Sequence, residues 1–517
     1  MERESLKNSG NSKRTLRLFT YVEYASNWHN WMDIVNLQYT QYILTMKVVD
    51  GIIDHGTNVY LPEQPGNFEE GGQARHTFLG VAGIPVSGFD TDRKKFIGNY
   101  GDYSKPEAVV RGSCSSSLAS GDNGCGVLQF DIELNAGETK EFIVVMGIGK
   151  AEVEGKKALL QASDLKLVDK QLVDLKKYWH KRMEGLYAQT PNQTFNSMLN
   201  MWNPYNCLMT YSWSRAASLV YAGERDGLGY RDTVQDILGV LHIIPDETRE
   251  RLELMITGQF SNGGALPVVK PFAHTPGKIK MIDETEFRSD DSLWLFNTVP
   301  AYVKETGDVS FYSRVLPYAD QGEDTVFGHL RKAIEFSLNH SGKHGLPCGL
   351  AADWNDCLVL GQKGESVFVA FQLRYSLITY IEIAGLLNKS QEMAWAKEKL
   401  SILDENLEKH AWDGDWYLRA FKDDGLKYGS KTDEEGSLWL NAQTWAILSG
   451  HPDKERTKRL LDILYQRLFT PYGLMIVDPP YEKADLNVVK APLFNKGMKE
   501  NGSIFVIPRV GLLLQKC

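Results

Sequence analysis

Hydrophobic positions change their period along this chain. Over residues 1–150 they fall in short runs, Leu16 to Glu23, Tyr42 to Val49, Val127 to Leu134 and Glu141 to Gly147, rich in β-branched and aromatic residues and separated by Gly, Asn, Asp and Pro. Such runs predict the strands of a β-sandwich rather than βαβ units. Asn135-Ala136-Gly137-Glu138 predicts a hairpin turn between the last two. The first strand follows Met1 so closely that upstream strands of the sandwich are expected to be missing.

Over 151–190 the period lengthens. Leu159, Leu160, Leu165, Leu167, Val168, Leu172, Leu175 and Trp179 fall at helical spacings among Lys and Asp, which predicts linker helices. After Pro191 the pattern is helical and of two kinds. Val367 to Leu387 and Leu438 to Leu448 are apolar nearly all round, as helices buried on every side must be. Met393, Ala396, Leu400, Leu403, Leu407 and Ala411, like Leu460, Leu461, Leu464 and Leu468, follow one face only. Alternating kinds predict an inner ring of helices wrapped by an outer one, an α/α barrel over 191–517.

A chain of 517 residues exceeds one compact core, in keeping with this division. Its net charge of -9 argues against nucleic acid or an anionic membrane as partner. The six cysteines form no CxxC pair and no His/Cys cluster with metal spacing, so free thiols and no metal site are expected. No apolar segment follows the N-terminus and no run of 18 apolar residues occurs, so a cytoplasmic location is expected.

Candidate chemistry concentrates in Gly349-Leu350-Ala351-Ala352-Asp353-Trp354-Asn355-Asp356-Cys357-Leu358. An indole face beside carboxylates suits a sugar, which stacks on the ring while the acids handle hydroxyls and protons. An acidic helix cap with a packed Trp explains the same residues. A second stretch, Trp213-Ser214-Arg215 with Gly223 to Asp236, brings three arginines and three glycines before an apolar helix, a loop able to meet an anion. Asp232 and Asp236 share one helical face there, as a catalytic or a solvated pair. Glu286 to Leu295 reads as a helix start capped by Ser289 or Asp290, and Trp412 to Ala420 as an architectural loop of aromatics and acids.

Taken in order, WSR, GxGYRDTxQD, SDDxLWL with AYVKETGD, ADWNDCL with GES, and KENG resemble the inverting disaccharide phosphorylases of glycoside hydrolase family 94, the cellobiose and chitobiose phosphorylases. GFDTDRKKFIGNYGD, in the β region, is similar to the same family. The resemblance implies an N-terminal β-sandwich, linker helices and an (α/α)6 barrel. It implies that Asp356 is the general acid and that Trp354, Arg215, Asp232 and Glu500 line the subsite of the attacked sugar. Arg225 would meet phosphate, with Arg231 as a supporting charge on the phosphate side, and Gln38 would reach the acceptor subsite of a partner in a homodimer. Inorganic phosphate is then a co-substrate, and no metal or organic cofactor is implied.

One acid without a base fits phosphorolysis. An inverting hydrolase needs a second carboxylate to activate water, whereas phosphate is already an anionic nucleophile and a second carboxylate would repel it. Asp356 must hold a proton, so it is expected to be buried against Trp354 with Asp353 or Asp232 nearby. The substrate is expected to be a β-linked disaccharide of the cellobiose type. A hydrolase on the same barrel, with Asp232 or Asp236 as base, and an inactive sugar-binding fragment are the alternatives. The tail departs from the family's pattern, which places a phosphate-binding histidine at the position of Ile507. Restoring one nucleotide after the Phe505 codon permits the reading FCHTQGWAIIAEML. Residues 506–517 are therefore expected to be a frameshifted tail, leaving the chain short of its last helices, poorly soluble and inactive by itself.

Overall fold

The computed structural model describes residues 1–24, 41–57, 76–214, 227–271 and 273–505. Gln38, Arg215, Arg225 and the tail 506–517 lie outside the described residues. The chain forms two compact units, Met1–Arg182 and Met183–Cys517.

The first unit holds two antiparallel sheets. One runs β1 (Glu2–Lys7), β9 (Thr139–Ile148), β6 (Thr77–Ala82), β5 (Ile52–Thr57), β4 (Leu44–Val49) in spatial order. The other sets β2 (Arg14–Phe19), β3 (Val22–Glu23) and β7 (Gly88–Asp92) against β8 (Gly124–Leu134). Leu44, Met46, Leu79, Leu128, Phe130, Ile132 and Phe142 join in one buried cluster of this unit. The predicted run Leu16 to Glu23 divides at Thr20, whose backbone N–H donates to Leu128 O and whose hydroxyl accepts from Leu128 N, so β2 and β3 pair with β8 in series.

The turn at Asn135 to Glu138 forms, but the predicted hairpin does not. Strand β8 pairs with β2 and β9 with β1, so the turn carries the chain from one sheet to the other. Buried Asn8 fixes this crossing: its amide donates to Leu134 O, Asn135 O and Ser12 O, and its own backbone bonds Glu138 O and Gly137 N. Helices follow at Lys156–Ala162 and Leu165–Met183, within the predicted linker. Ala162 packs with Ile52, Phe78 and Ala151 onto the sandwich.

The second unit is built from helices of two kinds. Helix α1 spans Asn203–Trp213, α2 Tyr230–Ile237, α3 Pro245–Ile256, α4 Leu295–Thr306, α5 Val326–Asn339, α6 Val367–Leu386, α7 Ser390–His410, α8 Leu440–Leu448 and α9 Lys454–Leu468. Helices α2, α4, α6 and α8 each touch the next in an inner layer, and α3, α5, α7 and α9 pack outside them. The sequence explains the sorting. Helix α6 buries Val367 through Leu373 without a break, whereas α7 buries only Ala396, Leu403 and Leu407. Length and composition alone would let α6 cross a bilayer, but 67 % of its most apolar window is buried against its neighbours, as a central core helix requires. The residues entering α2, α4 and α6 meet at one end of the inner layer, where Arg231 bonds Asp290 and Ser366 bonds Asp353.

Candidate active site

The loop 349–358 takes its shape from its own side chains. Asp353 Oδ1 accepts from Asn355 N at 2.8 Å, and Asn355 Oδ1 accepts from Cys357 N at 2.9 Å, two successive Asx turns that bracket Trp354 and Asp356. Neighbouring segments hold it on both sides. Ala351 N donates to Phe287 O and Ser289 N to Ala352 O, while Lys490 N donates to Cys357 O. Ser366 caps α6 through Val369 N and donates its hydroxyl to Asp353 Oδ2 at 2.7 Å. Its neighbour Glu365 accepts from His344 N and Leu346 N and pairs with His344 Nδ1 at 2.5 Å, closing the base of the loop.

Asp353 is not a free charge beside Asp356. Arg419 meets it at 2.7 and 2.8 Å, and both side chains are fully buried. Burial alone would push the Asp353 carboxyl up, but the Arg419 guanidinium and the bonds from Ser366 and Asn355 hold it below the usual carboxylate range.

Arg231, at the start of α2, joins three segments. One terminal nitrogen donates to Asp290 Oδ1 at 3.0 Å and to Asp353 O at 2.6 Å; the other donates to Asp356 Oδ1 at 2.9 Å. Its side chain is only 7 % exposed. Burial opposes its charge, and Asp290, Asp291 and Asp356 more than restore it. Three of the guanidinium's N–H donors thus meet protein acceptors, which makes Arg231 a support beneath Asp356. Asp290 is no helix cap: its side chain bonds no backbone N–H at the start of the 3-10 turn Asp291–Trp294, and it takes Arg231 and Trp294 Nε1 instead. Ser289, the other expected cap, donates its hydroxyl to Ala352 O at 3.3 Å. Among the described residues neither carboxyl oxygen of fully buried Asp291 has a hydrogen-bond partner, and burial beside Asp290 raises it well above the usual range.

Asp356 differs from the expectation of burial. Its side chain is 54 % exposed, because the second Asx turn directs it outward while Arg231 holds one oxygen from below. Trp354 is half-buried and packs against both the helical core and the cluster of Leu358, Trp439 and Val477, with Phe505 edge-on at 5.3 Å. Glu500 is half-buried on the same side, where burial, then Glu500 and Asp356, push the Cys357 thiol up to about 11. The KENG turn is pinned by buried Asn501, which bonds Tyr481 N, Tyr481 O and Phe494 O. Asp232 is half-buried with its carboxylate against Gly229, where a Cβ would meet Oδ2 at 2.7 Å. Asp232 and Asp236 lie four residues apart within α2, near Asp291 and Cys207 respectively. Ser214 ends α1 at φ 49, next to Arg215.

The structure thus brings Asp356, Trp354, Arg231 and Glu500 together, with Asp232 beside the buried aspartates. Sequence reasoning missed Arg419 and the support role of Asp290. A lone charge inside the apolar run Tyr417-Leu418-Arg419-Ala420-Phe421 is the signal that points to the former.

Residues 178–514 match the catalytic domain of the glycosyl hydrolase 94 superfamily, and residues 2–165 match the glycosyl hydrolase 94 supersandwich domain. The chain is 34% identical to the N,N'-diacetylchitobiose phosphorylase of Vibrio furnissii, over 97% of this chain and 64% of that protein. It is 29% identical to the solabiose phosphorylase of Paenibacillus borealis, over 96% and 61%. The chain therefore spans less than two thirds of the length of these curated relatives. A bacterial glucoamylase complexed with acarbose shares the fold, with a TM-score of 0.50 over 86% of this chain and 63% of that one at 11% identity. With both domains matched in this order, the chain belongs to the glycosyl hydrolase 94 superfamily.

Proposed function

We propose that the protein is an inverting glycoside phosphorylase. It takes a β-linked disaccharide and inorganic phosphate to an α-sugar 1-phosphate and a free sugar. The observation that carries this reading is the contrast among the aspartates around Arg231: Asp290, Asp291 and Asp353 are buried, and Asp356 alone is exposed. Asp356 donates its proton to the glycosidic oxygen as that oxygen leaves C1, and a phosphate oxygen forms the new bond from the opposite face. Arg231, bonded to Oδ1, then stabilises the carboxylate left behind. Trp354 and Glu500 flank the acid where the donor sugar sits, with Arg215 and Asp232 completing that subsite.

Arg225 binds phosphate. Two residues after it, Gly227 stands at φ 105, where the backbone approaches Val268 so closely that a Cβ would sit 2.2 Å from its Cγ1. The helical layers close as an (α/α)6 barrel, a reading supported by the alternation of inner and outer helices and by the fold shared with the glucoamylase. The protein works as a cytoplasmic homodimer in which Gln38 reaches the partner's acceptor subsite, and it needs no metal or organic cofactor. Cellobiose is the first substrate to test, and N,N'-diacetylchitobiose stands beside it because a relative at 34% identity is named for that sugar.

The test measures cleavage of both disaccharides with and without inorganic phosphate, using protein expressed from the complete coding sequence. Cleavage that requires phosphate supports the reading; equal cleavage in its absence would make the protein a hydrolase.

A further inference from the structure

We propose that Arg419 is a positioning residue for the general acid, acting through Asp353 and Arg231 on the orientation of Asp356. The inference rests on the reading of Asp356 as the acid.

Arg419 is fully buried among the rings of Phe368 and Trp439, at 5.7 and 5.5 Å from their centroids. Its backbone is fixed first: Arg419 N donates to Tyr428 O at 2.7 Å, and Arg419 O accepts from Val367 N at 3.2 Å. The next residue, Ala420, pairs with Ser366 and with Tyr428 in a three-stranded ribbon. The guanidinium therefore leaves from a rigid base. It grips both oxygens of Asp353, at 2.7 and 2.8 Å, and reaches Ser366 Oγ at 3.3 Å.

Asp353 passes this constraint on along two routes. Its carboxylate sets the first Asx turn through Asn355 N, and Asn355 then sets the second through Cys357 N, so the backbone on both sides of Asp356 is held. Its carbonyl accepts from Arg231, whose other terminal nitrogen holds Asp356 Oδ1. Both routes end at one carboxylate, one through the backbone and one through the side chain. A buried ion pair gives little stability beyond a well-packed apolar pair. What a forked guanidinium supplies here is direction, because two parallel bonds fix the Asp353 plane where a single point charge would not.

Arg419→Lys keeps the charge and loses the fork. The double variant Asp353→Asn/Arg419→Gln keeps a neutral hydrogen-bonded pair and serves if the lysine variant does not fold. The substrates are whichever of cellobiose and N,N'-diacetylchitobiose the phosphate assay selects, and the β-glycosyl fluoride of the same donor sugar, whose leaving group needs no proton. Arg419→Lys is expected to lower phosphorolysis of the disaccharide by about 10–100-fold and that of the fluoride by less than about threefold, the pattern of a misplaced acid. Equal losses on both substrates, or no loss on the disaccharide, would overturn the proposal. Hydrogen exchange gives a readout that does not depend on turnover: amides of 353–358 exchange faster in the variant while those of α6 keep their protection. Unchanged exchange over 353–358 would also overturn it. If the unmodified protein shows no phosphate-dependent cleavage, the proposed function fails, and exchange alone decides whether Arg419 orders the acid loop.

Discussion

Arg231 donates to Asp356 Oδ1 at 2.9 Å while sharing its other terminal nitrogen between Asp290 and Asp353 O. The guanidinium is therefore balanced from below by a buried carboxylate, and it meets Asp356 as an oriented donor rather than as a free cation. The exposed face of the loop then presents one acid, one indole and no second aspartate drawn from the buried set.

Asp356→Asn is expected to lower phosphorolysis of the disaccharide by about 10²–10⁴-fold, the range for a general acid. Phosphorolysis of the β-glycosyl fluoride is expected to suffer far less. Equal losses on the two would assign Asp356 to binding.

Asp290→Ala removes the buried partner of Arg231 and of Trp294 Nε1 together. Arg231 keeps Asp356 and the Asp353 carbonyl but loses its buried partner, at a cost of up to about 3–5 kcal/mol. Urea unfolding followed by tryptophan fluorescence reads this as a lower midpoint. A loss under about 1 kcal/mol would mean that Asp291 takes over the charge.

Gly229 offers a milder perturbation. A Cβ there would meet Asp232 Oδ2 at 2.7 Å, so the substitution shifts that carboxylate. Gly229→Ala is expected to raise KM for the disaccharide severalfold with Tm nearly unchanged. An unaltered KM would remove Asp232 from the sugar subsite.

Asp291 is expected to make stability depend on pH. Its folded carboxyl is raised by burial beside Asp290, so above about pH 4 the unfolded chain releases this proton while the folded chain keeps it. Stability then falls as pH rises towards the folded value, by up to about 1.4 kcal/mol per pH unit. Asp291→Asn removes this dependence. The Tm difference, variant minus wild type, is expected to grow from pH 5 to pH 8, and a constant or shrinking difference would contradict the assignment.

The patterns that survived from sequence to structure are the local ones. Helices α6 and α7 were separable because one is apolar all round and the other on one face, and the strands β4, β8 and β9 because their runs are rich in β-branched and aromatic residues and bounded by turn residues. What failed was non-local. The Asn135 turn has hairpin chemistry, but which sheet receives the chain is decided by Asn8, 126 residues before Leu134. Asp290 looks like a cap until Arg231, 59 residues away, claims it. Arg419 looks architectural because its partner Asp353 lies 66 residues upstream. The resemblance supplied Asp356, Trp354 and Glu500 by motif, and the structure adds that Asp356 stands exposed on two Asx turns rather than buried.

Phosphate, and not water, is expected to attack the sugar on the face opposite Asp356. Following the reaction of the selected disaccharide by 31P NMR, with protein from the complete coding sequence, tests it most directly. The account predicts that inorganic phosphate is consumed in step with the disaccharide and that the first product is the α-sugar 1-phosphate. A β-sugar 1-phosphate, or free sugars accumulating while the phosphate signal stays constant, would contradict it.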